Sequence, residues 1–470
     1  MKPLPVWSAL LLGMLLGPAG LAQTIQPDWP RVEAETLEHF QALLRLDTSD
    51  PPGNEAPAVE YLKQVLEREG IAVKTFALEP HRPNLVARIK GSGRKRPLLI
   101  MGHTDVVNVD PKKWKFPPFS ATRDGGYIYG RGSVDDKDNV AACLMVMLLL
   151  KRLNVPLDRD VIFLAEAGEE GSVQYGIRFM TEKHFPEIDA EFALAEGGRV
   201  TRRGGKVLFA SVQTTEKIPQ RVRLVARGPA GHGSVPLRTN AIVHLSQAVA
   251  KVAAWQTPMR MNDTTRTYFE RLATLSGPED AARYNGIVNP EKAAAIQEYF
   301  AEFEPQHHSM LRTSISPNII QGGYRINVIP SEVEAALDIR AFPGEDMEQL
   351  LDEMKRVIND PSVEIVPQGQ SHRPPAPPSA LDTEAFRTLE DLVRKHYGVV
   401  TLPTMSTGAT DMSYLRQKGI QSYGIGPAID VEDGPLGFGA HSDQERILES
   451  ALQQFVRFHW DAVVTLAAAP

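Results

Sequence analysis

The 470-residue chain contains one cysteine, Cys143, so no disulfide can form within it. Cys143 lies inside VAACLMVMLLL (140–150), an apolar run of helical length, where a small core residue is the simplest reading. Aromatic residues are sparse at 7%, and the formal net charge is −7. A nucleic-acid surface needs clustered basic residues interleaved with aromatics, and no such cluster occurs. The short run Arg94-Lys95-Arg96 reads as a solvated turn before a strand. Long hydrophobic runs are lacking too. The stretch from Val6 to Leu16 is too short to span a bilayer, so no stable membrane span is expected.

That stretch does fit an export signal. Lys2 precedes it, and Pro18-Ala19-Gly20-Leu21-Ala22-Gln23 follows, with small residues at the −3 and −1 positions of a cut after Ala22. Residues 1–22 are therefore expected to be a signal peptide. The mature protein is expected to be exported to a bacterial periplasm or the exterior, where a disulfide-free chain is acceptable. No cysteine follows the cut, so a lipid anchor is not expected.

Hydrophobic residues make up 42% and charged residues 23%, enough for a sizeable core in two domains, or in one domain with a large insertion. Helical patterns around Thr36–Leu46 and Glu55–Glu69 precede apolar strands at 84–90 and 97–102. A helix after Asp135 and strands at 161–168 and 191–198 follow. Strands alternating with helices predict an α/β fold with a mostly parallel central sheet flanked by helices. The pattern changes near Ser211. RVRLVARG (221–228) and EVEAALDIRAF (332–342) alternate polar and apolar residues, helices are expected at Asn240–Trp255 and 346–358, and SVEIVP (362–367) reads as a further strand. This predicts an inserted α+β unit with one solvated sheet face. Residues 256–316 are a long polar stretch with helical pieces, and SHRPPAPPSA (371–380) reads as a linker. Helices at 383–396 and 443–465 and a strand near 421–426 return to the first domain.

The chemistry concentrates at strand ends. PLLIMG runs into His103-Thr104-Asp105, VIFLAEAG into Glu169-Glu170, and EFALA into Glu196-Gly197-Gly198, while YGIG precedes a glycine-rich loop ending at Gly439-Ala440-His441. Open α/β sheets bind ligands at the carboxyl ends of their strands. Imidazoles and carboxylates without thiolates suit zinc, with cobalt or manganese as substitutes. One divalent ion with an open position rarely needs five side chains, whereas two ions sharing a carboxylate do. The candidate bridge is Asp135 in YGRGSVDDKD (129–138), which follows a glycine-rich turn and opens the long apolar helix, where a carboxylate can also cap backbone donors. The adjacent glutamates then divide their roles. Glu170 ligates, and Glu169 faces the water between the ions and accepts its proton. Asp105 is expected to hold the other nitrogen of the His103 ring. Taken alone, HTD, EE, GRG and DDK are ordinarily turns or surface; their joint order at strand ends carries the inference.

GHTDVV (102–107), GRGSVDDK (130–137), EAGEEGS (166–172), EGG (196–198), GPAGHGSVP (228–236) and GAHSDQERI (439–447) resemble the co-catalytic di-zinc metallopeptidase superfamily of glutamate carboxypeptidase, aminoacylase and carnosinase. The lid spacing and the EGG tripeptide are most similar to the carboxypeptidase S-like branch. The resemblance covers nearly all of the mature chain. It implies a catalytic domain in two parts, 23–213 and 372–470, with an inserted lid at 214–371. It further implies two zinc ions per subunit, one held by His103 and Glu196, the other by Glu170 and His441, with Asp135 bridging and Glu169 as general base. His232 of a partner subunit is expected to stabilise the oxyanion, which implies a homodimer through the lid. Asn327 and Arg340 are expected to grip a substrate carboxylate; for Arg340 the alternative is a charge that blunts an exposed sheet edge. Gly408, in STGATDMSYLR (406–416), is expected to place backbone amides near that carboxylate. The implied substrate is a peptide or an N-acyl amino acid with a free C-terminal carboxylate. Carboxypeptidase, dipeptidase and N-acyl-amino-acid hydrolase remain open. A non-catalytic peptide-binding protein would be marked by loss of a ligand or of the base, and all are present. The chain departs from the family in two places: Asp138 stands where a glycine is usual, and 256–316 lengthens the lid.

Overall fold

The computed structural model describes residues 26–368 and 373–469; the expected signal peptide lies outside them. The centre of the molecule is a mixed sheet. Its strands run in the order Val73–Ala77, Pro83–Ile89, Val161–Glu166, Leu98–His103, Phe192–Ala195, Gln421–Gly424, Lys206–Glu216, Arg199–Arg203 and Ala428–Asp430, with Thr401–Ser406 also paired to Lys206–Glu216. The four strands from Val161–Glu166 to Gln421–Gly424 are parallel to one another, and the strands that flank them, Pro83–Ile89 and Lys206–Glu216, are antiparallel. Residues of the central strands point alternately to two covered faces. Leu98 and Ile100 join one core with Val161 and Phe163, and Leu99 and Met101 join another with Ile162 and Leu164. Burial on both faces is why these strands read as unbroken apolar runs.

The helix Lys137–Arg152 is buried on all sides from Lys137 to Leu150, which explains the missing polar stripe in its sequence. It packs against Trp29–Leu44 and Glu449–Ala467. The first helix begins earlier than its apolar pattern suggests, with Pro30 in its first turn. The last begins later than 443, because Arg446–Leu448 pairs as a strand with Tyr127–Tyr129.

The inserted unit is a four-stranded antiparallel sheet in the order Ser314–Gly322, Glu332–Ala341, Ile218–Arg227, Val363–Pro367. Helices Ala241–Ala254 and Met347–Ile358 cover one face, burying Val222, Leu224, Leu337 and Ile339 against Leu245 and Met354. The chain crosses from one sheet to the other at Lys217. Its buried ammonium donates to the Ser309 carbonyl and hydroxyl at 2.9 Å and to the Ser314 hydroxyl at 2.7 Å. The polar stretch 256–316 folds as four helices, Asp263–Thr274, Pro278–Gly286, Pro290–Phe303 and Pro305–Met310. They enclose a small core of Phe269, Tyr284, Phe300 and Leu311. This block leans on the central sheet: Arg271 donates to the Thr401 carbonyl at 2.7 Å. Among the described residues no helix is long and apolar enough to cross a membrane.

Candidate metal centre

Parallel pairing aligns the carboxyl ends of the central strands. His103 stands in register with Glu166, and Ile100 with Leu194, so the residues that follow each strand emerge at one end of the sheet. Two donor groups form there. Ligand atoms of His103, Asp135 and Glu196 lie within 4.8 Å of one another, and so do those of Asp135, Glu170 and His441. Asp135 belongs to both. One of its oxygens lies 3.1 Å from His103 Nε2, and the other 3.0 Å from His441 Nε2, which is also 3.1 Å from Glu170 Oε1.

Local packing fixes these positions. A side chain at Gly102 would meet Asp136 Oδ2 at 2.8 Å, and one at Gly198 would meet the Gly424 carbonyl at 2.2 Å, so both glycines allow close backbone approach. Arg131, in the GRG turn, forms a buried ion pair with Glu445, which also accepts the Val134 amide at 2.9 Å. That pair ties the loop carrying His441 to the turn carrying Asp135. Lys137 reaches the carbonyls of Leu43 and Leu46 at 3.2 and 2.7 Å, and burial pushes its ammonium down to about 7.

One local expectation is corrected. The helix starts at Lys137, and Asp136 occupies the cap position without a side-chain cap bond. The Asp135 carboxylate is turned to the two imidazoles, so it does not cap. Asp105 stands at the other nitrogen of the His103 ring, as expected, with its carbonyl nearer than its carboxylate: His103 Nδ1 lies 3.0 Å from the Asp105 carbonyl and 3.6 Å from the carboxylate. That carboxylate accepts the backbone amides of Glu169 at 3.2 Å and Glu170 at 3.0 Å. Asp138 is fully buried, and neither of its oxygens has a hydrogen-bond partner among the described residues. Burial, reinforced by Asp136, holds its carboxyl far above the usual range, and the helix runs through this position unbroken.

The electrostatics call for cations. Burial pushes the Glu196 and Glu170 carboxyls up, and neighbouring carboxylates add to it. Burial also raises Asp136 to about 7. Although burial opposes it, the two imidazoles hold Asp135 below the usual carboxylate range. Asp135 and Glu170 in turn push His441 up to about 10. Packed carboxylates that the protein alone neutralises only by taking up protons, together with two imidazoles and no thiolate, suit a pair of divalent ions sharing Asp135.

Glu169 follows directly, 8% exposed. Arg373 donates to its Oε1 at 2.5 Å and to its carbonyl at 3.1 Å, and reaches Asp411 Oδ1 at 2.8 Å. Neither Arg373 nor Asp411 was singled out by sequence reasoning. Asp411 sits in the substrate-loop motif 406–416, whereas Arg373 lies in the proline-rich segment that reads as a linker. Asp411, with Glu166, lines a small internal cavity beside His103, Asp136 and Glu196. Burial pushes its carboxyl up to about 8.

The remaining candidate residues have other partners. His232 is exposed, and its Nδ1 pairs with Ser234 Oγ at 2.7 Å. Asn327 adjoins it, its carbonyl accepting the Gly233 amide at 2.8 Å. Neither shares a hydrogen bond or ion pair with the metal centre among the described residues. Arg340 lies on an interior strand, on the sheet face that the helices leave open, with its Nε 3.0 Å from Asp338; the edge-strand alternative does not hold. The Gly408 amide donates to Ser406 Oγ at 3.1 Å, in the loop that carries Asp411 to the centre.

The family profile for peptidase family M20/M25/M40 matches residues 99–464. A probable carboxypeptidase S-like 2 of Dictyostelium discoideum is 29% identical over 378 residues, covering 78% of this chain and 71% of its own. The N-fatty-acyl-amino acid synthase/hydrolase PM20D1 of Homo sapiens is 28% identical over 380 residues, covering 78% and 74%. Among solved structures, an M20 family metallo-carboxypeptidase from Sulfolobus solfataricus superposes with a TM-score of 0.69 at 19% identity, covering 92% of this chain and 99% of its own. That likeness shows the shared fold. On the span of the profile match, the chain belongs to peptidase family M20/M25/M40 and is a metal-dependent hydrolase.

Proposed function

We propose that the protein is an exported di-zinc hydrolase that cleaves the amide bond of peptides or N-acyl amino acids bearing a free C-terminal carboxylate. The observation that carries this reading is the pair of donor groups sharing Asp135, with Glu169 next in the chain to the donor Glu170. His103 and Glu196 would hold one ion, Glu170 and His441 the other. Zinc at these positions would supply Lewis acidity to the scissile carbonyl and to water. Glu169 takes the proton from the attacking water and passes it to the leaving amine. Asp105 orients this base by holding the 169–170 backbone. Arg340 and the Gly408 amide of one subunit, with Asn327 of a second copy beside His232, receive the substrate carboxylate. His232 of that second copy donates to the developing oxyanion; its exposure, and the absence among the described residues of any bond from it to its own centre, favour a role in trans.

The lid offers a route to such a dimer. Strand Ser314–Gly322 is an open edge with Ile319 and Ile320 half to two-thirds exposed, the kind of edge that pairs with another strand. The relatives' names favour carboxypeptidase or acyl-amino-acid chemistry, with a dipeptidase as the remaining reading. Export rests on Lys2, the apolar stretch Val6–Leu16 and the small residues before Gln23; the N-terminal sequence of the secreted protein tests it. A panel of dipeptides, N-acyl amino acids and their C-terminal amides, offered to the zinc-loaded protein, tests the substrate class. The acids should be cleaved and the amides spared. Equal cleavage of both would contradict the carboxylate requirement, and no cleavage with substrate bound would favour a peptide-binding protein.

A further inference from the structure

The segment that returns the chain from the lid to the catalytic domain carries a residue that the hydrolytic scheme does not yet use. Ser379 pins this segment to the central sheet. Its amide donates to the Thr214 carbonyl at 2.8 Å, and its hydroxyl donates to the Ser422 carbonyl at 2.8 Å and accepts the Ser422 amide at 2.9 Å. Between Ser379 and Arg373 lie Pro374, Pro375, Pro377 and Pro378. Prolines fix φ and favour an extended path of roughly 3 Å per residue, so the six steps back from Ser379 form a stiff arm spanning on the order of 20 Å. A flexible linker would place nothing reliably; this arm delivers one guanidinium to the metal centre.

The Arg373 side chain is 11% exposed and sits between two carboxylates, Glu169 at 9% and Asp411 at 2% exposed. It approaches Glu169 twice, at the carboxylate and at the carbonyl, so it restrains both the side chain and the turn that carries it. Asp411 anchors the opposite side of the guanidinium at 2.8 Å. Glu169 is therefore held through a planar bridge whose far end is itself buried. Without that bridge the Glu169 and Asp411 carboxylates would lack the guanidinium that pairs with both. Burial opposes the charge on Arg373, but Glu169, Asp411 and Glu216 outweigh it and keep the guanidinium charged.

We infer that Arg373 is a positioning residue for the general base: it holds the Glu169 carboxylate in the orientation from which it takes the proton, with Asp411 as its anchor. The inference rests on Glu169 acting as base in the proposed amide hydrolysis. It differs from an anchor for the substrate carboxylate, because the guanidinium nitrogens that reach Glu169 and Asp411 are committed to the base and its support.

The test compares zinc-loaded wild type, Arg373→Ala and Arg373→Lys on an N-acyl amino acid that the wild type cleaves. Positioning of a general base is worth on the order of 100-fold or more in rate, so Arg373→Ala should lose that much in kcat, with KM shifted by less than about threefold. Both metal ions should be retained, guanidinium ion at sub-denaturing concentration should restore part of the lost kcat, and Arg373→Lys should fall between. In a crystal structure of metal-loaded Arg373→Ala the Glu169 carboxylate should turn out of its wild-type orientation. A raised KM at unchanged kcat would overturn the proposal in favour of a substrate anchor. Loss of a metal ion would overturn it in favour of structural support, and an unmoved Glu169 would overturn it outright. The crystallographic comparison needs no turnover. If the wild type cleaves nothing in the panel, the substrate reading fails while the positioning of Glu169 is still decided.

Discussion

Replacing Asp105 with asparagine should disable the enzyme by way of two backbone bonds. Asp105 is fully buried, and its two oxygens accept the amides of Glu169 at 3.2 Å and Glu170 at 3.0 Å. Asparagine keeps one acceptor and puts an NH₂ group against the other amide. One buried donor then loses its partner, which costs about 1–3 kcal/mol, and the bond that survives loses its charge assistance. The 169–170 turn relaxes away from the new donor and takes the base and a metal ligand with it. A misplacement of about 1 Å costs on the order of 100-fold in rate. The assay measures kcat on an N-acyl amino acid, metal content by mass spectrometry and stability by chemical denaturation, for Asp105→Asn against wild type. A variant that binds both ions, unfolds at the wild-type denaturant concentration and turns over within about threefold of wild type would refute this reasoning.

Three further outcomes are expected. Glu196→Ala and His441→Ala should each leave one tightly bound ion, whereas Asp135→Ala should weaken both, because only Asp135 belongs to both donor groups; metal titration of each variant checks this. His459 is 1% exposed, and burial lowers its pKa from the ordinary 6.5 to about 3. The unfolded chain therefore takes up this proton first, so the stability from burying the neutral ring is complete above about 6.5 and is lost as pH falls toward 3. Between pH 7 and 5 this group should remove about 2 kcal/mol, a loss that denaturation of His459→Leu at the two pH values should lack. Ile320→Lys on the open lid edge should yield a monomer in sedimentation experiments and, if His232 acts in trans, a large loss of kcat; an unchanged mass or rate would contradict the lid-mediated dimer.

The metal centre was legible in the sequence because its residues follow apolar strands, and parallel pairing brings strand ends together. His103, Glu170 and Glu196 emerge from strands that lie side by side, so an order along the chain became a position in space. Asp135 was legible through its glycine-rich turn, although the cap expected of it does not form, because the two imidazoles take its carboxylate. Strand Lys206–Glu216 lies wholly in the central sheet but was hidden because it runs into strand Ile218–Arg227 of the other sheet with only Lys217 between them, so no turn signal marks where one ends. Arg373 was hidden for a different reason. Proline-rich composition marks a segment that cannot join a helix or a sheet interior, and it does not reveal whether that segment is loose or held at both ends. Only the bonds of Ser379 and the bridge to Glu169 and Asp411 distinguish the two.

The central claim is that five dispersed side chains hold a pair of cations through one shared carboxylate. Anomalous diffraction from crystals of the zinc-loaded protein tests it most directly. Two peaks about 3.5–4 Å apart, one beside His103 and Glu196, the other beside Glu170 and His441, with Asp135 between them, is the predicted result. A single peak, or peaks that leave Asp135 without contact to either, would contradict it.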